Sequence, residues 1–129
     1  MLTEERPVIY IVDDDASIRA SLSILLEVHG LRSEAFTSPG HFLQHADMSR
    51  RYCLIVDARL PGMSGLELLG KLNSHQQTVP SFMITGHGDV DLLEAARQQG
   101  VTECFRKPFN CDALVSSVQR VLEELEETA

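Results

Sequence analysis

The chain has 129 residues, 43% of them hydrophobic, and a formal net charge of -8. That length suits one domain with a sizeable core, and the apolar fraction is that of a folded globule rather than a disordered chain. The acidic balance argues against this domain itself binding nucleic acid or an anionic membrane surface.

Met1 to Pro7 is short and acidic, without the apolar core of a signal peptide. A first strand is predicted at Val8 to Val12, and it ends on Asp13, Asp14 and Asp15. Ile18, Leu22, Leu25, Leu26 and His29 follow at helical spacing, with Gly30 where a helix should stop. Leu31 to Phe36 reads as a weaker second strand. Ser38, Pro39 and Gly40 open a short helix carrying Phe42 and Leu43.

Tyr52 to Val56 is predicted as the third strand, ending on Asp57. A Pro- and Gly-rich loop, Leu60 to Gly65, leads into a helix bearing Leu66, Leu69 and Leu72, and Ser64 with Glu67 has the spacing of a capping box. Pro80 to Ile84 is strand four. The loop Thr85 to Asp89 precedes a helix from about Val90 to Gln99, stopped by Gly100. Thr102 to Arg106 is strand five, and Lys107, Pro108 and Phe109 form a turn. Asn110 caps a last helix with Leu114, Val118, Val121 and Leu125 on one face. Glu123, Glu124, Glu126 and Glu127 crowd its C-terminal end, where negative charge opposes the macrodipole. A frayed end, or the start of a linker, is expected over 123–129, with the core at about 8–122.

Strands alternating with helices imply an α/β fold, a doubly wound parallel sheet with helices on both faces. Strands without polar alternation are buried on both sides. Ligands bind such sheets beyond the carboxyl ends of the strands. That edge collects Asp13, Asp14 and Asp15 from strand one, Asp57 from strand three, Thr85 from strand four and Lys107 from strand five. Crowded carboxylates call for neutralisation, and a hard divalent cation such as magnesium supplies it through oxygen ligands. Asp15 reads as the cap of the first helix. The five histidines, His29, His41, His45, His75 and His87, show no metal spacing.

Three cysteines, Cys53, Cys104 and Cys111, make an odd number with no CxxC pair. They read as reduced thiols, and zinc finds no support in their spacing. No apolar stretch approaches a spanning length, so no membrane contact and a cytoplasmic location are expected.

Four segments, in order, resemble the receiver (CheY-like) domain of two-component response regulators. They are IVDDD (Ile11 to Asp15), VDARLPGMSG (Val56 to Gly65), ITGHGD (Ile84 to Asp89) and KPF (Lys107 to Phe109). The resemblance covers about Val8 to Leu122 and looks most like receivers of FixJ-type transcriptional regulators. It implies a flavodoxin-like sheet with strand order 2-1-3-4-5. It implies that Asp57 accepts a phosphoryl group from a sensor histidine kinase. Magnesium would be bound by Asp14, Asp57 and the backbone carbonyl of Arg59, with Asp13 acting through water. Thr85 would report the phosphoryl group, Lys107 would pair with it, and Pro108 would follow a cis peptide bond. The module would not be a turnover enzyme. A homodimer through the helix 4–strand 5–helix 5 face is implied, with DNA reached only through an output domain not present in this chain.

One departure concerns the aromatic that many receivers carry three residues before the lysine. Cys104 stands there, and Phe105 comes one residue later, on the opposite face of its strand. Activation is therefore expected to be read mainly through Thr85 and the loop after it. Arg59 and His87, at the mouth of the site in the family, are expected to set the lifetime of the aspartyl phosphate. Three competing readings are weaker. A haloacid-dehalogenase-type phosphohydrolase needs an acid two residues after its nucleophile, where this chain has Arg59. A nucleotide or flavin module lacks its glycine fingerprint. A contact-only receiver has no reason to keep Asp14, Asp57, Thr85 and Lys107.

Overall fold

The computed structural model describes residues 6–74, 79–86 and 90–127. Strands and helices alternate throughout: β1 (Val8–Val12), α1 (Ala16–Val28), β2 (Ser33–Phe36), α2 (Pro39–His45), β3 (Tyr52–Asp57), α3 (Gly65–Asn73), β4 (Ser81–Thr85), α4 (Val90–Gln98), β5 (Glu103–Arg106) and α5 (Cys111–Glu127). The strands form one parallel sheet in the order β2-β1-β3-β4-β5. The chain leaves β1 in one direction to β2 and then crosses back to β3. The carboxyl ends of β1 and β3 therefore flank the point where the winding reverses, which is where such sheets bind ligands.

Side chains alternate between two cores because successive residues of a strand face opposite sides. Val8, Tyr10, Val12, Leu54, Val56 and Met83 join Phe42, Leu68, Leu69, Leu72 and Ala96 beneath α2, α3 and α4. Ile9, Ile11, Cys53, Ile55, Phe82, Ile84 and Phe105 join Leu22, Leu26, Leu114, Val118 and Val121 beneath α1 and α5. This two-sided burial is why β1, β3 and β4 carry no polar alternation.

Capping chemistry fixes where the helices start. Asp15 accepts from the backbone of Ser17 and Ile18, and Ser38 from His41. Ser64 and Glu67 complete the capping box, and Asn110 accepts from Ala113 at 3.0 Å. Gly30 (φ 75°) and Gly100 (φ 86°) follow α1 and α4 in the left-handed region that suits glycine.

The differences from the sequence reading lie at element ends. The edge strand β2 begins at Ser33 rather than Leu31, whose side chain packs into the α1/α5 core instead. Strand β4 runs Ser81–Thr85, one residue later than expected, and β3 includes Asp57 itself. Helix α5 remains helical to Glu127, through the acidic run where fraying is expected. Arg51 Nη1 donates to the Leu125 carbonyl at 2.6 Å, giving that end of the helix a cationic partner.

Candidate functional site

Four loops meet at the carboxyl edge of the sheet. The β1 backbone carries Asp13 into the gap between strands, where it is 1% exposed. Three contacts hold it there. Its N–H donates to the Phe36 carbonyl at 3.2 Å, its carbonyl accepts from Arg19 Nη1 at 2.8 Å, and its Oδ1 accepts from the Asp15 N–H at 2.9 Å. Asp14, next in sequence, is exposed. Asp57 ends β3 at 7% exposure. Each of the three acids offers a carboxylate oxygen within 4.8 Å of those of the other two, a cluster found once among the described residues.

Lys107 closes the site from β5. Its Nζ donates to Asp57 Oδ2 at 2.9 Å, while Asp57 Oδ1 accepts from the Arg59 N–H at 2.9 Å. The Lys107 backbone N–H donates to the Thr85 carbonyl at 2.8 Å, so the lysine is pinned to the end of β4 as well. Its peptide bond to Pro108 is cis. The Thr85 hydroxyl is buried and has no hydrogen-bond partner among the described residues.

Electrostatics follow from this crowding. Burial drives the Asp13 carboxyl up to about 6; the Asp15 N–H and Lys107 pull against that, and the charges of Asp57 and Asp14 add to it. For Lys107, burial lowers the ammonium. The hydrogen bond and charge of Asp57, with Asp13 and Asp15 behind them, outweigh it and hold the group above the usual lysine value.

The donor set fits a hard divalent cation. Three carboxylates converge, and Asp13 Oδ2 is buried with no hydrogen-bond partner among the described residues. A buried, unpartnered carboxylate oxygen costs free energy that a cation or its water shell relieves.

Comparison with known proteins bears directly on this arrangement. A family model for the response regulator receiver domain matches residues 9–119. The chain belongs to that family. It is 39% identical over 121 residues to the transcriptional regulatory protein FixJ of Azorhizobium caulinodans, covering 94% of this chain and 57% of that protein. It is 36% identical to the response regulator protein TodT of Pseudomonas putida, over 94% of this chain and 53% of the other. The crystal structure of FixJ-N matches with a TM-score of 0.84 at 34% identity, over 93% of this chain and 96% of that one. The response regulator StyR matches with a TM-score of 0.87 at 35% identity, over 96% and 63%. This receiver domain spans about half the length of the curated relatives it matches.

The structure brings Asp13, Asp14, Asp57 and Lys107 together and sets Thr85 beside them through its backbone. Asp15 is a helix cap, as its place in the sequence suggests. Arg59 is fixed by its N–H rather than by its position in the motif alone. His87 lies outside the described residues. Sequence reading missed two contributors. Arg19 braces the Asp13 carbonyl one helical turn into α1, with no local signal to announce it. Gly65 is readable only as a helix start, yet a Cβ there would stand 2.5 Å from the Asp57 carbonyl oxygen.

Cys104 and Phe105 separate as strand alternation requires. Phe105 lies in the α1/α5 core between Phe82 and Phe109, at ring-centroid distances of 6.3 and 6.5 Å. Cys104 is half-buried on the opposite face, against the core beneath α4. No helix among the described residues is long and apolar enough to cross a membrane.

Proposed function

We propose that Asp57 is the phosphoacceptor of this receiver domain and that a phosphohistidine of a sensor histidine kinase is the donor. The observation that carries the reading is the Lys107–Asp57 contact at 2.9 Å beside the Asp13, Asp14 and Asp57 cluster. One Asp57 carboxylate oxygen attacks phosphorus as the P–N bond to the imidazole breaks. The leaving imidazole keeps the electron pair and takes up a proton. Nothing is turned over, because the aspartate ends as a mixed anhydride on the chain itself.

Asp14, Asp57 and the Arg59 carbonyl would hold magnesium, with Asp13 acting through water; bound there, the ion neutralises phosphoryl charge. Asp13, braced by Arg19 and the Phe36 carbonyl, keeps its carboxylate aimed at the site. Lys107 exchanges its contact with Asp57 for a charge-assisted hydrogen bond to a phosphoryl oxygen. The Thr85 hydroxyl, buried and without a partner among the described residues, donates to another. That turn of Thr85 draws in the loop after β4 and biases α4, which is how a local charge becomes an altered surface.

The altered surface is the α4–β5–α5 face. Leu92 and Val101 pack into the core there, so the charged residues around them would form a homodimer contact. The relatives named as transcriptional regulators motivate the remaining step. In a longer protein a DNA-binding output domain follows, and the whole works in the cytoplasm.

Acetyl phosphate with magnesium, read by intact-protein mass beside Asp57→Asn, tests the reading. One added phosphoryl group, absent in the variant and without magnesium, is expected. An equal gain in the variant would remove Asp57 from its role.

A further inference from the structure

Two histidines outside the acidic edge stand side by side on one helix. His41 and His45 stand four residues apart on α2 and therefore share one face. Their ring centroids are 4.8 Å apart. Two imidazoles on one zinc ion, each bound at about 2.1 Å, have centroids roughly 5 Å apart, so the rings already hold the spacing of a chelating pair. This corrects the expectation that none of the histidines has metal spacing: on one helix the pair takes the i, i+4 arrangement that carries two histidine ligands in helical zinc sites.

The pair is held from below. The His41 ring packs edge-on against Phe36 at 5.4 Å, and Phe36 belongs to the buried aromatic group with Tyr10 and Phe42. Thr37 holds His41 Nδ1, its N–H at 3.4 Å and its hydroxyl at 3.5 Å. The Thr37 N–H donates to Nδ1, so Nδ1 is the acceptor; when an ion takes Nε2 the proton moves to Nδ1, which then donates to the Thr37 hydroxyl instead. A second partner of this kind on a ligating histidine fixes ring and tautomer. His45 is exposed and His41 half-buried, so both are reachable from solvent.

We propose that His41 and His45 form a two-histidine site for a divalent transition ion of the zinc class on the outer face of α2. Imidazole suits zinc, nickel and copper rather than magnesium, so this site and the acidic edge select different ions. The protein supplies two ligands and leaves the remaining positions to water.

The test is a zinc titration of the chain in excess magnesium, read by the imidazole proton resonances and by melting temperature. The His41 and His45 signals should move together. His41→Gln or His45→Gln should each lower the affinity by about tenfold or more and remove the zinc-dependent rise in melting temperature, with His29→Gln unchanged. Circular dichroism of the variants verifies that they fold. Signals that stay in place at about a hundredfold excess of zinc, or an affinity in either variant equal to that of the parent, would overturn the proposal.

Discussion

Gly65 and the Asp57 carbonyl are in such close approach that a methyl group at residue 65 would stand 2.5 Å from the oxygen and 3.3 Å from Ala58 Cα. The first residue of α3 thus packs directly on the backbone of the proposed phosphoacceptor, and the Gly65 N–H donates to the Ala58 carbonyl at 3.2 Å. Both obstructing atoms are backbone, so they cannot swing aside. Gly65→Ala is expected to cost about 1–3 kcal/mol of stability. It should also slow phosphorylation by acetyl phosphate, since α3 must back away from Asp57. Urea unfolding and time-resolved intact mass measure the two effects; an unchanged midpoint and rate would mean the backbone yields freely.

Asp13→Asn is expected to stabilise the metal-free protein at neutral pH. The Asp13 carboxyl stands at about 6 when folded against an ordinary 3.8. Below 3.8 both states hold the proton and the group is neutral in the balance. As pH rises through the window to about 6 the unfolded chain releases its proton first, and the folded state must then ionise at a cost. Stability therefore falls across that window in the parent but not in the variant, by about 1–3 kcal/mol at neutrality. Melting curves from acid to neutral pH, without divalent ions, follow the divergence, and parallel curves would contradict it.

Lys107→Ala removes the cation from Asp57. A hydrogen bond to a charged group contributes about 1.5–3 kcal/mol, so phosphorylation should slow by roughly tenfold or more. The fold should survive, because the lysine is partly exposed and its backbone bond to Thr85 remains. Stopped-time mass spectrometry with acetyl phosphate reads the rate, and parity with the parent would make Lys107 a bystander.

The three thiols should react in the order of their exposure. Cys111 is exposed, Cys104 half-buried and raised by burial and by Glu103, and Cys53 fully buried with its thiol pushed up to about 12. Alkylation mapped by peptide mass should label Cys111 first and Cys53 only on unfolding. Early labelling of Cys53 would mean that β3 opens locally.

Cys104→Tyr restores a ring on the α4 side of β5, where Phe105 does not reach. On the proposed reading, in which Thr85 and its loop would carry the signal without that ring, phosphorylation-dependent dimerisation, measured by light scattering, is expected to stay the same. A large gain in the variant would show that the ring still limits coupling.

Much of this was legible in the chain because parallel strands advertise themselves. The runs at Val8 to Val12 and Cys53 to Val56 are apolar throughout because both faces are covered, and the acids that end them mark the functional edge. The edge strand β2 was harder, since Ser33, half-buried, and Glu34, exposed, break the apolar run. Contacts between distant residues were not legible at all. Arg19 on Asp13 and Gly65 against Asp57 depend on how elements pack, and no local spacing encodes them.

Helix α5 starts four residues beyond Lys107 and ends where Arg51, at the foot of β3, grips the Leu125 carbonyl. It therefore runs the full height of the sheet beside the strand that carries Asp57. Seventeen residues make a rod about 25 Å long, so a tilt of roughly 5° about its upper end would sweep its lower end by about 2 Å. Were the helix to pivot at the acidic edge, the contact of Arg51 with the Leu125 carbonyl at the opposite rim would resist its travel.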